Sequence, residues 1–163
     1  MKFTFFWGAN NQHGWFSQWY PLGFKDLDGV EYNCAEQYMM AEKARLFGDT
    51  DAEKLIMEAT SPSRQKKLGR GVRGFSPSKW NASAKQIVYR GNYFKFTQNP
   101  DFLTKLMETT GELVEASPYD KVWGIGLPAS SPRAQDKSTW QGKNWLGEVL
   151  TQLRRDLSQS AGD

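Results

Sequence analysis

Helix start and stop signals recur through the middle of this chain with little between them, so only short strands can fit around the helices. Asn33 is placed as an N-cap, Glu36 follows three residues on, and Gly48 closes the segment, so a helix is expected from about Asn33 to Phe47. A short helix is expected over Ala52–Ala59. Ser61-Pro62 opens another that ends at Gly69, with Ser as cap and Pro in the first turn. Pro77 and Ser78 open a longer helix to about Phe96. Asn99-Pro100 starts one more, ending near Gly111, and a last helix runs from about Asn144 to Leu157. The strand candidates are the aromatic run Phe3–Trp7, the pieces Trp19–Phe24 and Gly29–Tyr32 joined through the Asp28-Gly29 turn, Leu113–Ala116 and Lys121–Ile125. Strands and helices do not alternate regularly. The expected class is therefore α+β: a single domain over residues 1–157, with a small sheet and about six helices, followed by a disordered polar tail at 158–163.

The 163 residues suit one globular core, and 39% hydrophobic residues argue against disorder. No run approaches the roughly 18 apolar residues of a membrane span, and the N-terminus turns polar too early for a secretory signal. Cys34 is the only cysteine, so no internal disulfide is possible and a cytoplasmic address is expected. A single His excludes two-His zinc sites and multi-His iron sites. No acidic cluster suggests a metal, so neither a metal nor a cofactor is expected. The net charge of +3 tolerates a phosphorylated ligand without identifying a nucleic-acid binder. Lys66, Lys67 and Arg70 form a small basic cluster that reads as a solvated face.

The stripe Glu36, Met40, Lys43, Phe47 is the most informative pattern. Seven residues bring Glu36 and Lys43 back to nearly one face, about 10 Å apart along the axis, too far for a simple helix salt bridge. Two arrangements fit. Both head groups line one pocket, or Glu36 caps its helix while Lys43 snorkels. In Asp120-Lys121-Val122-Trp123-Gly124-Ile125-Gly126, the Trp offers a stacking face and the glycines allow close approach of a ligand; a core Trp followed by a turn fits equally. Gly142-Lys143-Asn144 precedes the last helix, where free N–H groups and a Lys suit an anion, or form an ordinary cap.

In order along the chain, Phe16-Ser17-Gln18-Trp19-Tyr20-Pro21, Ala35-Glu36-Gln37-Tyr38 with Lys43-Ala44, Leu68-Gly69-Arg70, Trp80-Asn81, Lys95-Phe96, Trp123-Gly124-Ile125-Gly126 and Gly142-Lys143-Asn144 resemble the NADAR/YbiA-like family over nearly the whole length. The resemblance implies an α+β fold and hydrolysis of a bond between a ribosyl anomeric carbon and a nitrogen of a heterocycle. Its substrates are ADP-ribose on guanine in DNA or RNA, or the phosphoribosylamino-pyrimidine intermediates of riboflavin synthesis. The family's acidic helix residue falls on Glu36, its helix lysine on Lys43, and its two pocket tryptophans on Trp80 and Trp123.

Some members carry Asp between the two glycines where this chain has Ile125, which leans the expectation toward ADP-ribose on guanine and leaves Asp120 to supply a carboxylate. In the mechanism this implies, Lys43 is the nucleophile and Glu36 the general acid/base. Trp80, Trp123, Gly124 and Gly126 surround the substrate, and Lys143 and Asn144 meet phosphate. A carboxylate pair of Glu36 and Asp120 is the conventional variant. A non-catalytic ADP-ribose reader is the competing class, and it would need neither Glu36 nor Lys43.

Overall fold

A computed structural model describes residues 2–162. Six α-helices and four short strands are present among them, in the order β1 (Phe3–Phe6), β2 (Phe24–Lys25), β3 (Glu31–Tyr32), α1 (Ala35–Leu46), α2 (Thr50–Glu58), α3 (Pro62–Arg70), α4 (Pro77–Thr97), α5 (Pro100–Met107), β4 (Glu112–Glu115) and α6 (Trp145–Gly162). The class is α+β, as expected. The chain gathers into two compact units, one of residues 21–98 and one of residues 2–20 with 99–162. Each holds its own two-stranded sheet.

The 21–98 unit is built around α1. This helix has no single apolar face: every residue of Ala35–Ala41 is buried, as suits a helix enclosed on several sides. It packs against α2, α3 and α4. On the α3 side the contact is so close that any side chain at Gly69 would strike Met40. The helix ends where the sequence places the stop. Gly48 has φ +69°, and the next amide, that of Asp49, turns back to the Ala44 carbonyl at 2.9 Å.

Its start differs by one residue. Cys34 is the N-cap, and Gln37 rather than Glu36 reaches back, accepting from the Asn33 N–H at 2.8 Å. Asn33 is drawn away from the cap because its side chain bridges the Thr60 carbonyl and the Gln65 amide. The back-bond expected of Glu36 is thus made by Gln37. The expected helices at 61–69 and 77–96 form, the first from its Ser61-Pro62 start and the second with Pro77 in its first turn and Ser76, not foreseen, as its cap. Of the extended pieces at 19–24 and 29–32, only β2 and β3 pair, antiparallel with Phe24 opposite Tyr32.

In the other unit β1 and β4 pair in parallel, Phe3 opposite Glu112 and Phe6 opposite Glu115. Helix α6 covers β4. Phe3, Val114, Ala116, Ile125, Leu127 and Ala134 form the cluster on this sheet, with the Trp140 ring 5.4 Å from that of Phe3.

Two expectations are corrected. Residues 121–125 are not a strand. Their carbonyls are spent on the N–H groups of Gln141, Lys143 and Asn144 and of the first two residues of α6, and Ile125 N–H turns to the Glu115 carbonyl at the end of β4, so no ladder can extend. Nor is the tail disordered to its end. Helix α6 runs on through Gly162, with the Ser158 hydroxyl bonded to the Arg154 carbonyl; Asp163 lies outside the described residues. No helix among the described residues is long and apolar enough to cross a membrane.

Candidate functional site

Within the 21–98 unit the chemistry-bearing groups converge on α1. Glu36 occupies the first turn and is buried, 6% exposed. Two turns on, the half-buried Lys43 sends its Nζ between two rings, 4.7 Å from the centroid of Phe75 and 5.5 Å from that of Trp80. Both distances lie within cation–π range. Trp80 is brought there by the Ser76-Pro77 cap, which starts α4 three residues earlier. Phe75 is braced edge-on by Phe47, 5.4 Å away.

Removal from water pushes the Lys43 pKa below that of an ordinary lysine. The negative charge of Glu36 opposes this, and the positive charge of Arg70 adds to it. The two rings favour the ammonium form, so they work with Glu36 and against burial. Of the stripe Glu36, Met40, Lys43, Phe47, Met40 serves packing alone, seated on Gly69. Phe75, which touches Lys43 directly, was not among the sequence candidates. The sequence signal is a lone aromatic residue between Gly74 and the Ser76-Pro77 helix start, and the structure leaves it 43% exposed.

Lys95 was also not singled out as a site residue. It is fully buried on α4, and burial alone pulls its pKa down to about 7. Cys34, whose thiol donates to Gln65 Oε1 at 3.1 Å, senses the charges of both Glu36 and Lys95, and burial pushes its pKa up to about 11. A thiol so protonated is a poor nucleophile. The run Tyr93-Phe94-Lys95-Phe96, a lysine inside an aromatic stretch, was the available hint.

The second group of candidates lies in the other unit. Asp120 Oδ1 accepts the N–H groups of Val122 at 2.9 Å and Trp123 at 2.8 Å, so this carboxylate shapes the loop that carries Trp123. The half-buried Trp123 ring meets Trp145 edge-to-face at 5.5 Å, and Lys143 Nζ stands 5.2 Å from the centroid of Trp145. The glycines of this loop serve the protein's own backbone. A side chain at Gly124 would come within 2.9 Å of the Glu115 carbonyl oxygen, and Gly126 has φ +70°. Ile125 between them is wholly buried in the sheet core.

The expected anion site at the start of α6 is not open. The N–H groups of Lys143, Asn144, Trp145 and Leu146 donate to the carbonyls of Lys121, Gly124, Val122 and Trp123. Asn144, 1% exposed, spends its side chain on β4, accepting from Glu115 N–H at 3.0 Å and donating to the Leu113 carbonyl at 3.1 Å. Asn144 is thus a bracket between strand and helix. A groove of about 620 Å³ beside β1, lined by Phe5, Trp7 and His13 among others, contains none of the nominated residues.

Comparison with known proteins places this geometry in context. The chain is 49% identical to N-glycosidase R617 of Acanthamoeba polyphaga mimivirus, over 97% of its own length and 98% of that protein's. It is 31% identical over 80% of its length to a chloroplastic riboflavin biosynthesis protein PYRR of Zea mays, of which it spans 20%. Its fold matches the NMR structure of YbiA from E. coli with a TM-score of 0.80, covering 99% of this chain and 88% of that one at 24% identity. The NADAR domain is matched by residues 5–158, and the chain belongs to the NADAR domain family.

Proposed function

We propose that this protein is an N-glycosidase that hydrolyses the bond between a ribosyl anomeric carbon and an amino nitrogen of a nucleobase, and that it removes ADP-ribose from guanine in nucleic acid. The observation that carries the proposal is the Lys43 amine held between Phe75 and Trp80 on the helix that also buries Glu36. The mimivirus relative named an N-glycosidase supports the reaction class. A binding module would need neither a half-buried lysine whose deprotonation burial favours nor a buried carboxylate on the same helix.

A sugar joined through an exocyclic nitrogen opens to an imine. The lone pair of neutral Lys43 adds to its carbon, one Lys43 proton passes to the base nitrogen, and the bond to that nitrogen breaks as Glu36 delivers a second proton to it, so the base departs as its amine and the Lys43 imine is left protonated. The base leaves and a Lys43–sugar imine remains. Water then adds to the same carbon with Glu36 taking its proton, the carbon–Nζ bond breaks, and the free sugar aldehyde closes to its ring form. Trp80 is assigned to a flat part of the substrate. Trp123, Lys143 and Asp120 belong to the other unit, and the reaction as written assigns them no step.

The maize relative named for riboflavin biosynthesis supports a second substrate, a phosphoribosylamino-pyrimidine. The first is favoured by the residue identity alone, since the loop carries Ile125 where some family members carry Asp. Turnover of both substrates is to be measured side by side, with borohydride added during the reaction. Expected are release of ADP-ribose from guanine and a sugar adduct on Lys43. Glu36→Gln should lower kcat about 10²–10⁴-fold. Full activity of Lys43→Ala would discard the covalent route, and no release from either substrate would discard the N-glycosidase assignment.

A further inference from the structure

Negative charge is missing from one long stretch of the 21–98 unit and its border. Between Glu58 and Asp101 there is no Asp or Glu, while nine of the chain's 21 Lys and Arg fall there. The modest net charge of +3 therefore combines a strongly basic segment with an acidic remainder. Helix α3 turns that segment into a face. Its buried side is Gln65 and Gly69, against α1; Lys67 and Arg70 lie opposite, Arg64 flanks them, and all three are exposed. Among the described residues, neither these three nor the exposed Lys79 of α4 is held in an ion pair, whereas Arg73 is held by Asp49 and Asp51. Like charges on one helix face repel unless a counter-charge is brought to them. The row has a direction as well, because Arg70 lies close enough to Lys43 to act on its charge, and Phe75 beside Lys43 keeps an exposed ring surface on which a base can stack.

We propose that Arg64, Lys67, Arg70 and Lys79 form a track for the phosphate backbone of a single-stranded nucleic acid, leading its modified base to Lys43. The inference rests on the reading of Lys43 as a group that acts on a nucleobase substituent. A single strand is favoured over a duplex because a stacked, paired base cannot present its amino substituent to a side chain without first leaving the stack. Four phosphate contacts to a single strand give a log–log salt slope of about −2.8, so affinity falls about 50-fold between 50 and 200 mM salt. Two contacts give a slope of about −1.4 and a fall of about 7-fold.

The test is fluorescence anisotropy with an unmodified single-stranded oligonucleotide at both salt concentrations. The variants are Arg64→Glu/Lys67→Glu, its neutral counterpart Arg64→Gln/Lys67→Gln, and Lys25→Glu/Lys54→Glu as a control of equal net charge elsewhere on the same unit. Circular dichroism checks folding, and release of ADP-ribose from modified guanosine, a substrate with no backbone, is followed in each. Both α3 pairs should weaken binding at least tenfold at 50 mM salt and halve the slope, the control should bind within twofold of the unaltered protein, and guanosine turnover should be unchanged in all. No binding by the unaltered protein, equal losses in the α3 and control pairs, or binding to anionic vesicles but not to the oligonucleotide would each overturn the track. If the α3 loss is specific but modified guanosine is never turned over, the surface stands and the assigned reaction falls; if guanosine is turned over but the α3 pairs bind normally, the reverse holds.

Discussion

Replacing Ile125 with the Asp that some family members carry asks whether this loop position faces a ligand or the core. Ile125 has no exposed surface and sits among Phe3, Val114, Ala116, Leu127 and Ala134. Withdrawing its side chain forfeits about 1.5–3 kcal/mol of burial. The smaller Asp leaves a gap worth about 1 kcal/mol. A carboxyl group with no partner in that cluster costs about 1–3 kcal/mol even if it stays protonated. The combined loss, about 3.5–7 kcal/mol, approaches the whole stability of an ordinary domain. In urea, at a slope of roughly 2 kcal/mol per molar, the midpoint should fall by about 2–3.5 M. The loss also has a sign in pH. Burial raises the folded-state pKa of the new carboxyl above that of an unfolded Asp, so the variant is least destabilised below about pH 4 and loses more as pH rises toward the folded value. Ile125→Val, the control, should cost about 0.5–1.5 kcal/mol. An Ile125→Asp protein within 1 kcal/mol of the unaltered one would refute the argument, because the side chain would then have to reach solvent or a pocket, and a carboxylate there would return as a substrate determinant.

Asn144→Ala leaves the Leu113 carbonyl and the Glu115 N–H without their partner and puts Ala at φ +55°. It should cost about 2–5 kcal/mol by thermal unfolding, with Asn144→Gly recovering about 1 kcal/mol of backbone strain; an unchanged Tm would show that the bracket carries no weight. Lys95, with a folded pKa of about 7 against about 10.4 when unfolded, binds fewer protons folded than unfolded across that window, so the protein should gain stability as pH rises from 7 to 9. Lys95→Met should flatten that rise in urea titrations at the two pH values, and an equal rise in both proteins would place its origin elsewhere.

Much of the helical framework could be read from punctuation. Ser61-Pro62, Pro77 and Gly48 act through the backbone of their own neighbourhood, so the helices they bound appear where they predict. The convergence of Glu36 and Lys43 on one helix was legible for the same reason, since helix period alone relates them. Residues 121–125 do not form the expected strand because their carbonyls pair with residues within 141–146 and the Ile125 N–H with Glu115, none of them adjacent in the chain. Asn144 was misjudged for the same reason. In isolation it is a cap beside a lysine, and only β4 makes it a bracket.

What the sequence determined by itself is therefore what local forces settle: the class, the helix ends marked by Pro62, Pro77 and Gly48, and the helical period that relates Glu36 to Lys43. Tertiary structure decided the rest. It put Phe75 and Trp80 around one amine, buried Lys95 without an acid on its own helix, and filled the start of α6 with carbonyls from a preceding loop. Each of those outcomes depends on desolvation or on pairing between distant residues, and neither quantity exists until the chain has folded.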